Sequence, residues 1–154
     1  MASNSNETAV SGLAEQFATF YVGEMLCGIQ VKSVQEIIRF QEMTPVPLAS
    51  PVIRGLINLR GQIITAIDMR RRMGLPERDA EQMPMNVVVR TSDGTGSLLV
   101  DRIGDVLEVK GASFEATPVT IEGAIKDLIT GVYKLSEQLL LVVDTERAVE
   151  ISAN

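Results

Sequence analysis

The sequence predicts an all-β chain with a few short helices, built as two similar modules. Three observations carry this. The apolar stretches are short, and the longest, 139–143, has strand length. Glycine and proline turns punctuate those stretches throughout. Finally, residues 53–68 lie over residues 129–144 without a gap, matching in Ile, Gly, Leu, Gln and Asp and in most apolar positions.

The elements follow in order. Residues 1–15 are polar, with no basic start and no apolar run, and read as a disordered tail, neither signal peptide nor membrane anchor. Residues 17–22, aromatic and β-branched, predict a strand; Gly23-Glu24 turns it, and 25–29 return. Val31, Val34 and Ile37-Ile38 fall at helical spacing, which suggests a short helix over 31–38 that opens into a strand at Glu36. Pro45, Pro47 and Pro51 mark a loop, and Ser50-Pro51 supply the start of a one- or two-turn helix through Gly55. Then come a strand, a tight bend at Arg60-Gly61, and a second strand ending at Asp68. Residues 69–73, stopped by Gly74, predict a short helix.

Residues 75–84 are charged, bounded by proline and aperiodic, which makes them the linker. One domain is thus expected over 16–151, with modules at 16–74 and 85–151 and an exchange of strands between them left open. Beyond the linker, strands are expected at 86–90 and 97–100 around a turn at 92–96, and at 105–109. A loop at 111–126 contains Pro118, and 128–144 repeat the strand–turn–strand theme. Asp144-Thr145-Glu146 are placed to cap a terminal helix.

A second match precedes each repeat: Val31, Val34, Glu36 and Ile37 lie over Val100, Ile103, Asp105 and Val106. The shared Gly, Gln and Asp mark backbone geometry rather than burial. Arg60 lies over Ser136, so a Glu36–Arg60 combination belongs to the first module alone. A carboxylate on one segment and a guanidinium on the adjacent bend can pair bidentately. An exposed pair adds little stability, so a fixed charged edge for a partner is the better reason for it. The alternative is an ordinary solvated Arg on a turn.

Composition narrows the function. The chain has 154 residues, 45% of them hydrophobic, enough for a core. Aromatics are 4%, Trp is absent and the net charge is −6, which argues against a nucleic-acid surface. The absence of His removes His-based acid–base chemistry, His metal sites and phosphotransfer through histidine. The single Cys, Cys27, sits in an apolar stretch and reads as a buried small hydrophobe in a reducing compartment.

Val34-Gln35-Glu36-Ile37-Ile38, Pro47, Val52-Ile53-x-Gly55 and Asn58-Leu59-Arg60-Gly61-x-Ile63-Ile64 through Asp68-x-Arg70 resemble the signature of the CheW family. Val100-Asp101, Asp105-Val106, Ile129-x-Gly131 and the run from Leu140 to Asp144 continue the resemblance, which covers about residues 16–151. It implies two SH3-like, five-stranded barrels around a common core, no catalytic activity and no cofactor. It implies an adaptor that couples the cytoplasmic tips of chemoreceptors to the regulatory domain of the histidine kinase CheA. Such a protein is expected to be cytoplasmic at membrane-associated receptor arrays, monomeric alone, and to assemble into arrays or rings with the kinase. It would neither insert into the membrane nor bind nucleic acid. Carried over by position, Val34, Glu36, Gly55, Asn58 and Arg60 would form the first module's coupling surface, and Ile103 would line an apolar groove between the barrels. Thr65 stands where the family often has proline, with no functional loss expected. No receiver domain is present, so the resemblance is to the plain adaptor rather than the CheV fusion.

Two rivals are weaker, and a third stays open. For an enzyme, the candidate carboxylates are Asp68, Asp101, Asp105 and Asp144, but a capping role explains Asp68 and Asp144, and Asp101 with Asp105 do not make a metal site. For nucleic acid, Arg70-Arg71-Arg72 is the only support and reads as a solvated face pairing with Glu77 or Asp79. A coupler of a non-flagellar pathway, such as twitching or gliding motility, is not separable on these residues.

Overall fold

The computed structural model describes residues 15–110, 113–116, 121 and 123–151. Strands β1 (Glu15–Val22) and β2 (Met25–Gln30) form the first hairpin. A single 3₁₀ turn, Val31–Ser33, leads into β3 (Val34–Arg39). Then follow β4 (Ile53–Leu59), β5 (Gln62–Asp68) and helix α1 (Met69–Arg72). After the irregular segment 75–84 come β6 (Met85–Thr91), β7 (Gly94–Val100), β8 (Arg102–Val109) and β9 (Ser113–Ala116). Helix α2 (Ala124–Leu128), β10 (Ile129–Lys134), β11 (Leu139–Val143) and helix α3 (Thr145–Val149) complete the order. The expected tail lies outside the described residues except Glu15, which opens β1.

The strands form two sheets, a six-stranded one ordered β8-β1-β2-β11-β10-β9 and a five-stranded one ordered β3-β6-β7-β5-β4. Each sheet draws strands from both halves of the chain: β1 and β2 join β8 to β11, while β6 and β7 join β3 to β5. The central strand β6 is packed on both faces and reads as a continuous apolar run. Val87 and Val89 enter a central cluster with Phe20, Ile29, Ile67 and Val132, whereas Val88 turns the other way onto Ile57 and Ile64. Phe17, Leu26, Val109 and Leu140 form a third cluster on the far face of the six-stranded sheet. Cys27 is fully buried in the central cluster, and burial pushes its thiol up to about 12. It is therefore expected to resist a thiol reagent at pH 8 until denaturant unfolds the chain; rapid labelling of folded protein would contradict this packing.

The repeat is built from the same bonds twice. The β4–β5 hairpin shifts register between Ile53 and Gly55, and the β10–β11 hairpin shifts between Ile129 and Gly131. Asp68 N donates to Val52 O at 2.8 Å, and Asp144 N to Leu128 O at 2.8 Å. Arg71 Nη1 donates to Pro51 O at 3.0 Å, and Arg147 Nη1 to Asp127 O at 3.2 Å. A central strand in each sheet pairs in parallel, β5 with β7 and β2 with β11.

The shared glycines are explained by a backbone segment laid over each. Thr44 bridges Leu56, and a Cβ on Gly55 would stand 2.8 Å from Met43 Cβ and 2.9 Å from Thr44 O. Glu115 of β9 pairs with Val132, and a Cβ on Gly131 would stand 2.6 Å from Glu115 O. Gly55→Ala and Gly131→Ala should each cost roughly 1–3 kcal/mol in chemical denaturation, because backbone must move to admit the methyl. Wild-type stability in both variants would refute this reading.

Several sequence expectations are corrected. The helix over 31–38 is only the 3₁₀ turn, and the strand begins at Val34 rather than Glu36. A bulge between Val34 and Glu36 breaks the two-residue alternation and imitates helical spacing. Ser50-Pro51 start a single turn, not a helix through Gly55, since Ile53 is already in β4. The loop at 111–126 contains β9 and the start of α2, while Pro118 lies outside the described residues. Strands β7 and β8 begin three residues earlier than expected, at Gly94 and Arg102.

Candidate functional site

Glu36 lies on β3, at one edge of the five-stranded sheet, and Arg60 lies in the β4–β5 turn at the other edge. The sheet curls so that the two meet, and Arg60 Nη2 donates to Glu36 Oε2. The hydrogen bond from Arg60 outweighs slight desolvation and holds the Glu36 carboxyl below the usual glutamate range. The Arg60 side chain remains 67% exposed, so its guanidinium faces solvent on an otherwise fixed corner.

That corner has an unusual backbone. Both central residues of the turn have positive φ, 53° at Arg60 and 87° at Gly61, the geometry of a type I′ hairpin. Glycine and asparagine favour this conformation, and an ordinary side chain costs roughly 1 kcal/mol there. Asn58 Oδ1 accepts a bond from Gly61 N at 2.9 Å and fixes the turn. Asn58 is exposed beside Arg60, while Gly55 is buried under Met43 and Thr44.

Val34 and Ile103 occupy equivalent strand positions, paired with Val89 and Phe20, and both lean half-buried on the central cluster. The bulge separates Val34 from Glu36, so one turns inward and the other outward. Thus Glu36, Asn58 and Arg60 come together, while Gly55 is buried and Val34 and Ile103 stand apart from them, each half-buried against the central cluster. A cleft of about 580 Å³ opens between the ends of β1, β2 and β8, lined by Glu15, Gln16, Gln30, Val31, Lys32 and Glu108. Among the described residues that line it, only Val31 is apolar, and Ile103 is not one of them.

A charged cluster stands apart from this corner. Asp68 caps α1, accepting from Arg70 N at 3.0 Å, and Asp144 caps α3, accepting from Arg147 N at 3.1 Å, as expected. Asp68 is also gripped by Arg54 at 3.2 Å and Arg78 at 3.3 Å. Asp101 takes Arg70 at 2.7 Å, Arg78 at 3.0 Å and Gly23 N at 2.6 Å. Burial pushes the Asp101 carboxyl up, but the bonds from Arg70, Gly23 and Arg78 together leave it below the usual aspartate range. These contacts correct the reading of Arg70-Arg71-Arg72 as a solvated face. Only Arg71 pairs with Glu77, at 3.0 Å, while Arg70 is mostly buried and Arg72 Nη2 donates to Arg147 O. Arg78 was missed altogether, because an aperiodic charged segment gives no sign that one of its side chains is 94% buried. Guanidinium groups bind Oδ2 of Asp68 and both oxygens of Asp101, backbone N–H groups bind Oδ1 of Asp68, and no cluster of three or more metal-ligating side chains occurs among the described residues.

Two packed sheets with an exposed charged corner, and buried carboxylates committed to arginines, are the features of a β-rich scaffold. The CheW-like domain model matches residues 16–152, and the chain belongs to that family. The chemotaxis protein CheW of Bacillus subtilis is 31% identical over 146 residues, covering 93% of this chain and 92% of its own. The chemotaxis protein CheW of Treponema pallidum is 31% identical over 143 residues, covering 90% and 84%. The crystal structure of the scaffolding protein TtCheW from Thermoanaerobacter tengcongensis superposes with a TM-score of 0.81 at 23% identity, covering 92% of this chain and 97% of that one.

Proposed function

We propose that this protein is a non-catalytic chemotaxis adaptor that joins chemoreceptor tips to the histidine kinase CheA. The observation that carries the reading is the Glu36–Arg60 corner. An arginine sits where the turn favours glycine or asparagine, is tied to a carboxylate across the sheet opening, and keeps most of its side chain in solvent. Such a group contributes little to folding and gives a partner a pre-oriented charge. Membership of the family supports the pathway. In this reading the protein is a cytoplasmic monomer that enters arrays or rings with the kinase. Among the described residues no helix is long and apolar enough to cross a membrane.

Binding tests the proposal. Purified protein is titrated with the kinase's regulatory domain and, separately, with a soluble receptor-tip fragment. The proposal expects saturable binding to each and a ternary complex when all are mixed. Binding to neither would overturn it.

A further inference from the structure

Among the described residues, Leu48 and Arg60 alone have positive φ without being glycine, 64° and 53°. Leu48 stands third in the turn Val46–Ala49, which is closed by a bond from Ala49 N to Val46 O at 3.3 Å. With Pro47 before it, this is the pattern of a type II turn, whose third residue favours glycine or asparagine. A leucine there bears a backbone cost with no return from its side chain, because it is 105% exposed and packs against nothing. An exposed leucine is ordinary on a protein surface. One held out on a left-handed backbone is not.

The turn is also stiff and uncharged. Pro45, Val46 and Pro47 are exposed with Leu48, and the two prolines fix their own φ. Before the turn, Thr44 exchanges two backbone bonds with Leu56, at 2.9 and 2.8 Å. After it, Ile53 N donates to Ser50 O at 2.9 Å and Asp68 N to Val52 O at 2.8 Å. Little freedom is left to lose on binding. No charged residue occurs from Met43 to Ile53, Pro45 and Pro47 carry no N–H, and Ala49 N is already bonded. The tip therefore offers a partner apolar surface. It precedes β4 whereas Arg60 follows β4, so roughly 20 Å of strand separates the two. We propose that Leu48 is a pre-organised apolar anchor, taken by a folded partner domain into an uncharged pocket the size of one leucine side chain. A projecting side chain needs a concavity, and pockets belong to folded domains. The partner is therefore the kinase's regulatory domain, an assignment that rests on the function proposed above.

Titration calorimetry of the full chain with the purified regulatory domain tests this, beside the thermal midpoint of each variant. Leu48→Asn suits the turn, so its midpoint should equal or exceed that of the wild type. Its affinity for the regulatory domain should fall about tenfold or more, the scale of withdrawing a buried leucine. Leu48→Met keeps the apolar bulk and should bind as the wild type does. Both variants should bind a receptor-tip fragment normally. The anchor is overturned if Leu48→Asn binds the regulatory domain as tightly as the wild type, or if the loss appears against the receptor tip instead. A lowered midpoint in Leu48→Asn also overturns it, by giving the leucine a structural role. Self-association of the wild type in sedimentation, lost in Leu48→Asn, overturns it in favour of a second copy of this chain. Wild-type protein that binds neither partner defeats the proposed function itself, and the anchor's assignment to the kinase with it.

Discussion

Arg60→Asn is expected to abolish kinase coupling while leaving the fold at least as stable as the wild type. The type I′ turn at residues 60 and 61 favours an Asn-Gly pair, so the substitution relieves the backbone cost that arginine bears at φ 53°. What it removes is the guanidinium, which is tied to Glu36 and mostly in solvent. Kinase activation should therefore fall at least about tenfold, the scale of losing one partner of a fixed charge pair at an interface. Arg60→Glu and Glu36→Arg should each fail in the same assay, and the double reversal should recover part of the activity. Full activation by Arg60→Asn would make the corner dispensable. A loss of activation that parallels a fall in thermal midpoint would make it merely structural.

The largest expected effect on stability lies at Asp101. Asp101→Ala leaves Arg70 without its carboxylate, leaves the buried Arg78 with Asp68 alone, and frees Gly23 N. Breaking a buried pair in this way costs about 3–5 kcal/mol. The same group makes stability depend on pH. Its pKa in the folded chain lies below the ordinary value of 3.8, so the unfolded chain binds more protons as the solution is acidified. Its contribution is complete above the ordinary value and is lost as pH falls through the folded one. Thermal midpoints of the wild type should drop more steeply below that value than those of Asp101→Asn. Parallel curves, or an Asp101→Ala variant as stable as wild type, would show that the cluster is not held as described.

How far the residues disclose these features depends on the range of each interaction. The Glu36–Arg60 pair was legible because the repeat sets Arg60 over Ser136 and so isolates what only the first copy has. The shared glycines were legible as markers of backbone geometry, but not the neighbours that require them. Thr44 and Glu115 lie over Gly55 and Gly131 only once the hairpins are built. The cluster at Asp101 was not legible, since Arg70 and Arg78 lie 31 and 23 residues before it and no local pattern links them. Strand β3 was misread because a bulge changes which face a side chain takes, and apolar spacing alone cannot distinguish a bulged strand from a short helix. Strand β9 escaped because it is a four-residue edge strand whose role is to cover Gly131.

Reconstitution tests the central claim most directly. CheA autophosphorylation is measured with receptor cytoplasmic fragments, with and without this protein, beside a folded Arg60→Glu variant. An adaptor predicts that activation requires the protein and that the variant does not support it. Equal kinase activity with and without the protein, in the presence of the receptor fragments, would contradict the account.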